Sequence, residues 1–414
     1  MNVLLLGNGF DLHHHLPTKY INFLNTIDSV SKREISTIKT IGDVFGDEKL
    51  REKDREIRES YDRYKKIYDE TQLDSEALAY IKNLSENNVW CKYLLESVSQ
   101  DITWIDFEKE IADVIRSFQN CFSHSKRNAV DLGKLAPDEV FRIKKFDFFL
   151  LPEENTDAFT TRAVKDEYTM NYPAGSNNKV IDQSEIIKEL SQQLGILAEG
   201  LKIYLMSFVE KTVEKIQQTA DFPWKSAFNH VDHVITFNYT NTYEILYGKG
   251  TVTHIHGNVK DKIILGTNPD DTDKLETIDT SFIYFKKYFQ RLLYKTDLQY
   301  LKFIEENDNK GYEIALYVIG HSLNVTDKDI IQDFFKIADK IYILNYDEDD
   351  EMKHISNLID IYAKEGFDKI RREKYVRFIS IKDDITNLLK QNSIEATHKH
   401  NMEMISALAS HVIR

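Results

Sequence analysis

The opening segment of the chain constrains its fold more than any other. The apolar run Val3–Leu6 passes directly into Gly7-Asn8-Gly9-Phe10-Asp11. A short buried strand that ends in Gly-x-Gly is typical of a doubly wound α/β domain. Glycine lets the backbone turn tightly and approach a ligand, and the next helix offers unpaired N–H groups to a phosphate. The third glycine of the dinucleotide fingerprint would fall at Leu12, so an ordinary tight turn is the alternative.

Short apolar runs of the kind that form buried strands occur at the start of the chain and again in its second half. They are Val3–Leu6, Val234–Phe237, Val252–Ile255, Ile263–Leu265, Ile314–Ile319, Ile341–Leu344 and Val376–Ile381. The long segment between the first two runs has mostly helical patterns. This distribution predicts an α/β fold with a mostly parallel sheet, a large helical insertion and a C-terminal helical region.

The same patterns divide the chain into three predicted regions. Residues 1–30 and 220–346, together with 370–385, form a nucleotide-binding α/β domain. Residues 31–219 form the helical insertion, and residues 347–414 form a mainly helical C-terminal region. Inside the insertion, the polar stretch Pro152–Asn178 is predicted to be a long loop.

The clearest helix of the insertion follows Ser184, a predicted N-cap. Its apolar side chains recur three and four residues apart, at Ile187, Leu190, Leu194, Leu197, Leu201, Tyr204 and Phe208. Such a face packs inside a bundle or forms a dimer seam. Packing inside the chain is favoured, because the run is short and contains Gly195 and Gly200, which weaken a helix.

Composition restricts the class of protein. The chain carries 54 basic and 68 acidic residues, for a formal charge of −14, which argues against a general nucleic-acid binder. The two cysteines, Cys91 and Cys121, do not form a C-x-x-C motif and indicate a reducing compartment. No apolar run approaches the roughly 18 residues of a membrane helix. The sequence therefore predicts a cytoplasmic protein without a membrane partner.

Polar clusters follow three of the later predicted strands. They are Asn238-Tyr239-Thr240, His256-Gly257-Asn258 and Gly320-His321-Ser322-Leu323-Asn324. Groups just past the carboxyl ends of parallel strands gather in one crevice, so these loops and the opening turn are predicted to share a pocket. An asparagine can orient water or a hydroxyl, and a histidine can move a proton near neutral pH. The alternative is that Asn238 and Ser322 are helix caps and that His256 belongs to a turn.

Two further clusters leave alternatives open. In Trp104–Glu108, Asp106 and Glu108 form either a functional acid pair or the first turn of a helix. The run His13-His14-His15 suggests a metal site, but adjacent side chains point in different directions and do not converge on one ion. We therefore predict no metal site.

The motifs resemble a known family. Leu5–His14 and Leu16–Tyr20 resemble the start of the bacterial AbiH abortive-infection proteins, and Trp104–Glu108 and Phe237–Thr240 are similar to two further blocks of that family. The arrangement is also distantly similar to sirtuin-like NAD-binding domains of phage-defence NADases. This second resemblance implies a sirtuin-like, Rossmann-type sheet.

Site roles follow from the resemblance residue by residue. It implies that Asn238 positions water or ribose and that His256 is the catalytic histidine. The implied cofactor-binding residues are Gly7, Asn8, Gly9, Phe10, Asp11, Gly320, Ser322 and Asn324. The chain departs from the NADase pattern at Asn8 and Asp11, where small residues are usual, and at Thr240, where an aspartate is expected.

The implied function is that of an anti-phage effector that cleaves the nicotinamide–ribose bond, with NAD as substrate and no metal. The implied partners are a phage trigger or a companion defence protein, and a second copy of the chain bound through the helical insertion. Two alternatives stay open at this point. One is a nucleotide sensor that binds without hydrolysis, and the other is a nuclease toxin that uses Asp106, Glu108 or the histidines.

Overall fold

A computed structural model describes residues 1–98, 107–150, 161–218, 224–267, 280–296, 298–308, 312–383, 385–393 and 402. In chain order its strands are β1 (Asn2–Leu6), β2 (Ser125–Lys126), β3 (Ala129–Asp131), β4 (Thr161–Ala163), β5 (Thr169–Asn171), β6 (Lys179–Ile181), β7 (His233–Thr236), β8 (Thr251–His254), β9 (Ala315–Ile319), β10 (Lys340–Asn345) and β11 (Tyr375–Ser380).

The α-helices are α1 (Asn8–His13), α2 (Tyr20–Ser31), α3 (Ile41–Phe45), α4 (Glu48–Lys53), α5 (Arg55–Glu70), α6 (Ser75–Asn87), α7 (Val89–Val98), α8 (Phe107–Ser123), α9 (Pro137–Lys144), α10 (Gln183–Tyr204), α11 (Lys211–Ile216), α12 (Thr242–Leu246), α13 (Lys287–Tyr294), α14 (Leu298–Asn307), α15 (Lys328–Ile337) and α16 (Glu348–Glu373). A π-helical segment, Leu205–Glu210, joins α10 to α11.

The central sheet has six strands in the order β11-β10-β9-β1-β7-β8, and every neighbouring pair is parallel. The chain runs from β1 outward to β7 and β8, and then returns to the other side of β1 to form β9, β10 and β11. The order therefore reverses between β1 and β9. In open α/β sheets, ligands bind outside the carboxyl ends of the strands at this switch point.

The alternation of side chains along β1 explains its central place in the sheet. Val3 and Leu5 belong to the apolar core on one face, and Leu4 and Leu6 belong to the core on the other face. All four are fully buried. A parallel strand covered on both faces needs such a continuous apolar run. The predicted α/β fold with a parallel sheet is confirmed.

The long helix of the insertion packs inside the chain. All seven apolar residues predicted for its buried face lie in one large core that the insertion helices form. The face is therefore not a dimer seam. The predicted cap at Ser184 is wrong, because the side chain of Asp182 accepts the N–H of Glu185 and α10 begins at Gln183. Ser184 lies within the first turn and donates its hydroxyl to Asp182.

Two predictions of local structure are wrong. Ile263–Leu265 is not a strand, since the Gln290 side chain pairs with both the N–H and the carbonyl of Leu265 and takes the place of a neighbouring strand. Residues 161–178 of the predicted loop contain β4 and β5, which pair with β3 and β6. Such short polar strands lack hydrophobic periodicity. Residues 152–160 lie outside the described residues.

The C-terminal region completes the sheet and covers it. The longest helix of this predicted helical region is α16, which is interrupted at Ala363, where φ is 55°. β11 is the edge strand of the central sheet, and residues 386–393 are helical. The boundary predicted at residue 30 cuts through α2, whose Phe23, Leu24 and Ile27 join the core of the insertion. The domain boundaries stay predictions.

Cys91 and Cys121 are buried and unpaired with each other. Within the described ranges, no helix has the length and apolar character that crossing a membrane requires.

Candidate functional site

A cavity of about 350 Å³ lies at the carboxyl ends of the central strands. It is bordered by the loops that follow β1, β7, β8 and β9. Nine of the ten predicted site residues line it, namely Gly7, Asn8, Gly9, Asp11, Asn238, His256, Gly320, Ser322 and Asn324. The tenth, Phe10, does not line the cavity. Its ring is buried in the core under the sheet, beside Phe228 and Trp224.

Glycine is needed where the loop after β1 meets the loop after β9. A Cβ atom on Gly9 would lie 2.7 Å from the Cα atom of Gly320, and one on Gly7 would lie 2.7 Å from the Gly320 oxygen. Gly320 itself has a φ of 66°, which disfavours other residues. The N–H of Gly9 donates to the Gly320 carbonyl at 2.8 Å, and the N–H of Gly7 donates to Ile319 at 3.1 Å.

These two N–H groups therefore join the loops and are not free for a phosphate. The Gly-x-Gly pattern has a structural explanation in the contact between the loops. The predicted ligand-binding role of the glycines stays a prediction.

Asn238 follows the end of β7 and is held through its backbone. Its N–H donates to the Thr236 hydroxyl at 3.1 Å, and its carbonyl accepts from Nδ1 of His254 at 3.0 Å. The side-chain amide of Asn238 makes no hydrogen bond to another described residue. Asn238 is not a helix cap, because Asn241 occupies the N-cap position of α12. The amide of Asn238 thus lies at the cavity without a structural partner among those residues.

A neighbouring pair supports this loop. Nε2 of His254 lies 2.6 Å from a Glu244 carboxylate oxygen, while its Nδ1 donates to Asn238. These two contacts of His254 anchor the backbone of Asn238.

His256 lies at the cavity beside an acid that the sequence did not assign to the site. Its Nε2 is 3.3 Å from Oδ1 of Asp327, without the alignment of a hydrogen bond. Burial, followed by the nearby Lys287 cation, lowers the pKa of His256 to about 4. His256 is therefore neutral at pH 7. The adjacent carboxylate favours a proton on Nε2, which leaves Nδ1 as an acceptor.

Asp327 is ionised in spite of its burial. Burial raises the pKa of this carboxyl, but Lys287, His256 and His321 outweigh burial and hold the pKa well below its usual range. Nε2 of His321 lies 3.5 Å from the second carboxylate oxygen, and its Nδ1 accepts the N–H of Leu323. Asp327 thus lies between two histidines that both line the cavity.

Lys287 is a fully buried cation behind the cavity. Its Nζ is 2.5 Å from a Glu108 oxygen and 3.4 Å from Asp327. Burial lowers the pKa of Lys287, but Asp327 and Glu108 together raise it above its ordinary value. Lys287 was not among the predicted site residues, because it lies on α13, far from any strand end. A signal was present in the spacing of Lys287 and Arg291, which share the inner face of this helix and are both buried.

Of the two carboxylates in the acidic motif Trp104–Glu108, only Glu108 lies within the described residues. Glu108 lies in the first turn of α8, as the helix interpretation predicts, and its side chain also lines the cavity. A functional role for this acid stays a prediction. Its ion pair with Lys287 neutralises it, which weakens the nuclease alternative. Trp104 and Asp106 lie outside the described residues.

Asp11 is a buried carboxyl at the cavity, 1% exposed. Its Oδ2 accepts the Thr240 hydroxyl at 2.6 Å, and its Oδ1 has no hydrogen-bond partner among the described residues. Burial raises the pKa of Asp11 from 3.8 to about 7, although the nearby hydroxyls of Thr240 and Thr242 oppose the rise. This group exchanges a proton near neutral pH.

The remaining predicted polar residues have structural contacts. Oδ1 of Asn324 accepts the N–H of Thr326 and so caps the short helix Val325–Asp327, whereas Ser322 is not a cap. His13 stacks on Trp224, and His14 bonds the Phe10 carbonyl and the Tyr247 hydroxyl, each at 2.8 Å. Among the described residues, no group of three or more His, Cys, Asp or Glu could hold a metal ion.

A six-stranded parallel sheet with a polar cavity at its switch point defines a Rossmann-like α/β protein with a candidate ligand site. The family model for bacteriophage abortive infection AbiH matches residues 3–347. The chain belongs to this family, and its role is phage defence by abortive infection. No curated protein and no solved structure gives a significant match to the chain. The comparisons do not show the sirtuin-like similarity, which stays a prediction.

Proposed function

We propose that this abortive-infection protein hydrolyses the bond between nicotinamide and ribose in NAD. The observation that carries the proposal is the pairing of a neutral His256 with an ionised Asp327, in a cavity that also presents the unpartnered amide of Asn238. A neutral imidazole beside a carboxylate can accept a hydrogen bond from a substrate hydroxyl at physiological pH.

The charge of the cavity suits this reaction. Asp11, Glu108 and Asp327 line the cavity, and the buried Lys287 offsets only one of the two negative charges of Glu108 and Asp327. Lys19, at the edge of the cavity, is paired with Glu56 at 2.5 Å. The nicotinamide ring of NAD is cationic, and breaking its bond to ribose moves positive charge onto the sugar. Carboxylates fixed around that position stabilise the transition state by electrostatic attraction. The same carboxylates disfavour phosphates deep in the cavity.

The volume indicates which half of NAD enters. About 350 Å³ lies at the lower end of the range for ligand pockets, roughly 300–1,000 Å³, and suits one nucleoside. We therefore place nicotinamide riboside inside, next to Asn238 and His256. The phosphates and adenosine extend over the exposed rim at Asn8 and Ser322.

The reaction divides between two side chains. The amide of Asn238 orients a water molecule toward C1′ of the ribose, and Nδ1 of His256 accepts a hydrogen bond from a ribose hydroxyl. The water oxygen forms a bond to C1′ as the bond from C1′ to the ring nitrogen breaks. The electron pair of the broken bond stays on neutral nicotinamide, the second product is ADP-ribose, and one proton is released.

The test follows NAD in bacteria that carry the protein, during infection by a phage against which it protects. Nicotinamide release by the protein purified from the same infected cells is measured in parallel. We expect NAD to fall with wild-type protein and to persist with His256→Ala. The matched control is His233→Ala, because His233 also has a pKa lowered by burial to about 4 but lies at the amino ends of the strands.

Protection without loss of NAD, together with no nicotinamide release, would reject the hydrolase. Calorimetric binding of ADP-ribose in that case would favour the nucleotide sensor.

A further inference from the structure

We propose that Asp11 is a catalytic residue of this cavity, whose Oδ1 atom contacts the attacking water and accepts its proton. The inference rests on the proposed hydrolysis and assigns the base for it.

The two carboxylate oxygens of Asp11 differ in their hydrogen-bond partners. Oδ2 is bonded to the hydroxyl of Thr240, which in turn accepts the hydroxyl of Thr242 at 3.1 Å. Oδ1 is buried and has no partner among the described residues. An unpaired buried oxygen costs folding free energy, and such exceptions call for an explanation. In the proposed reaction, the attacking water supplies the missing donor.

Asp11 shares the cavity with Asn238 and is linked to the same loop. Both residues line the cavity, and Thr240 lies two residues after Asn238 in the same loop. The hydrogen bond from Thr240 to Asp11 therefore ties α1 to the loop that carries the amide. A water held by Asn238 then lies in the same cavity as the Asp11 carboxylate.

The surroundings of Asp11 bring the pKa of its carboxyl close to neutral pH. The charged groups that face Asp11 are Glu210, from the π-helical segment, and Glu244, from α12. Burial and both of these carboxylates raise the pKa of Asp11, and the two threonines lower it, with a net value of about 7. A base is most effective when its pKa lies near the working pH. His256, with a pKa of about 4, is the weaker base.

The proton transfer completes the hydrolysis. As the water oxygen bonds to C1′, one water proton moves to Oδ1 of Asp11. The C1′–nitrogen bond breaks and its electron pair stays on nicotinamide. Asp11 then releases the proton to solvent, and no oxidant or further reactant is required.

The test compares wild-type protein with Asp11→Asn, which keeps an oxygen to accept the Thr240 hydroxyl but cannot accept the proton. We expect kcat to fall by at least about 100-fold, the usual scale of general base catalysis, with KM changed by less than about threefold. Wild-type kcat should rise with pH up to about 7, and this dependence should be absent in the residual activity of Asp11→Asn.

An exchange variant separates chemistry from loop anchoring. Asp11→Thr with Thr240→Asp restores a carboxyl–hydroxyl pair across the same contact with the partners reversed. We expect the kcat of the double variant to exceed that of Asp11→Thr alone by about tenfold or more, within the range for general base catalysis. Asp339→Asn is the matched control for an Asp-to-Asn change, because Asp339 lies at the opposite edge of the sheet and bonds the N–H of Ile314.

The outcomes distinguish this inference from the function on which it rests. If the wild-type protein turns over NAD and the kcat of Asp11→Asn lies within about threefold of the wild-type value, the role of Asp11 is rejected and the hydrolase function is retained. No turnover by wild-type protein from infected cells would overturn the hydrolase and the inference together. A large fall in kcat in Asp11→Asn, together with loss of the pH dependence, supports both the hydrolase function and the role of Asp11.

Discussion

The two edges of the central sheet carry the same residue types in different states. At the amino ends of the strands, Asp232 accepts the N–H of Asn2 at 2.7 Å, and Asp339 accepts the N–H of Ile314 at 2.8 Å. At the carboxyl ends, Asp11 leaves one oxygen unpaired, and Asp327 lies against two histidines. The acids of the first edge satisfy the backbone, whereas those of the second edge face a cavity.

The histidines differ in the same way. His233, at the amino edge, contacts the Thr253 hydroxyl at 3.1 Å and stacks on Phe303. His256, at the carboxyl edge, has an Nε2 atom without an aligned hydrogen bond. Unsatisfied buried groups are costly, and they concentrate at functional sites. The two acids and the histidine compared at the amino edge have contacts within the fold, whereas Asp11 and His256 each leave one buried polar atom unpaired at the cavity.

The largest expected difference between the edges is in turnover. His256→Ala should lower nicotinamide release by about 10²- to 10⁴-fold, because it removes the acceptor for the ribose hydroxyl. His233→Ala should leave turnover within about threefold of wild type, since its histidine is remote from the cavity. Assays of both purified variants check this. Equal losses of nicotinamide release in the two variants would show that the difference between the two edges is unrelated to catalysis.

The next effect is a stability difference that depends on pH. Folding raises the pKa of Asp11 from 3.8 to about 7, so the folded state holds this proton more tightly than the unfolded state. Wild-type stability should therefore fall relative to Asp11→Asn as pH rises from about 4 to about 7, by up to about 4 kcal/mol. Thermal unfolding of both proteins across this range measures it. Parallel curves would mean that Asp11 ionises normally.

A smaller effect concerns the contact between the two glycine loops. Gly320→Ala should cost about 1–3 kcal/mol, because its φ is 66° and its Cβ would lie 2.7 Å from the Cα atom of Gly9. Gly195→Ala should instead gain about 1 kcal/mol, since the residue lies in α10 with open space around it. Thermal unfolding checks both. If the stability of Gly320→Ala equals that of the wild type, the structural explanation of the Gly-x-Gly pattern is wrong.

The smallest effect belongs to the amino edge. Asp339→Asn weakens one hydrogen bond to the N–H of Ile314 at an exposed position and should cost about 1 kcal/mol or less. Turnover should not change. A fall in turnover as large as that of Asp11→Asn would contradict the separation of the two edges.

The sequence predicted the sheet well because its strands are continuous apolar runs, and Val3–Leu6 is fully buried on both faces. It also placed the polar loops at one cavity, since the carboxyl ends of parallel strands share an edge. It did not predict Lys287, because nothing in the local pattern of α13 shows that Glu108 and Asp327 converge on it. Phe10 was assigned to the site by its position in a motif, yet its side chain packs in the core.

The hydrogen-bond partners of individual side chains and N–H groups could not be predicted from the sequence either. The unpaired oxygen of Asp11 depends on the burial of α1 against the loop of Thr240, a contact across more than half of the chain. The use of the Gly9 N–H in a loop contact likewise depends on Gly320. Local patterns specify elements, whereas proton positions and free donors depend on tertiary contacts.

The central claim is that the carboxyl edge of the sheet is a catalytic site for NAD. It is tested most directly by measuring NAD and nicotinamide together in phage-infected bacteria that carry wild-type, His256→Ala or His233→Ala protein. The account predicts that NAD falls and nicotinamide rises with the wild-type and His233→Ala proteins, and that both stay at uninfected levels with His256→Ala. Phage protection by the wild-type protein with NAD unchanged would contradict it.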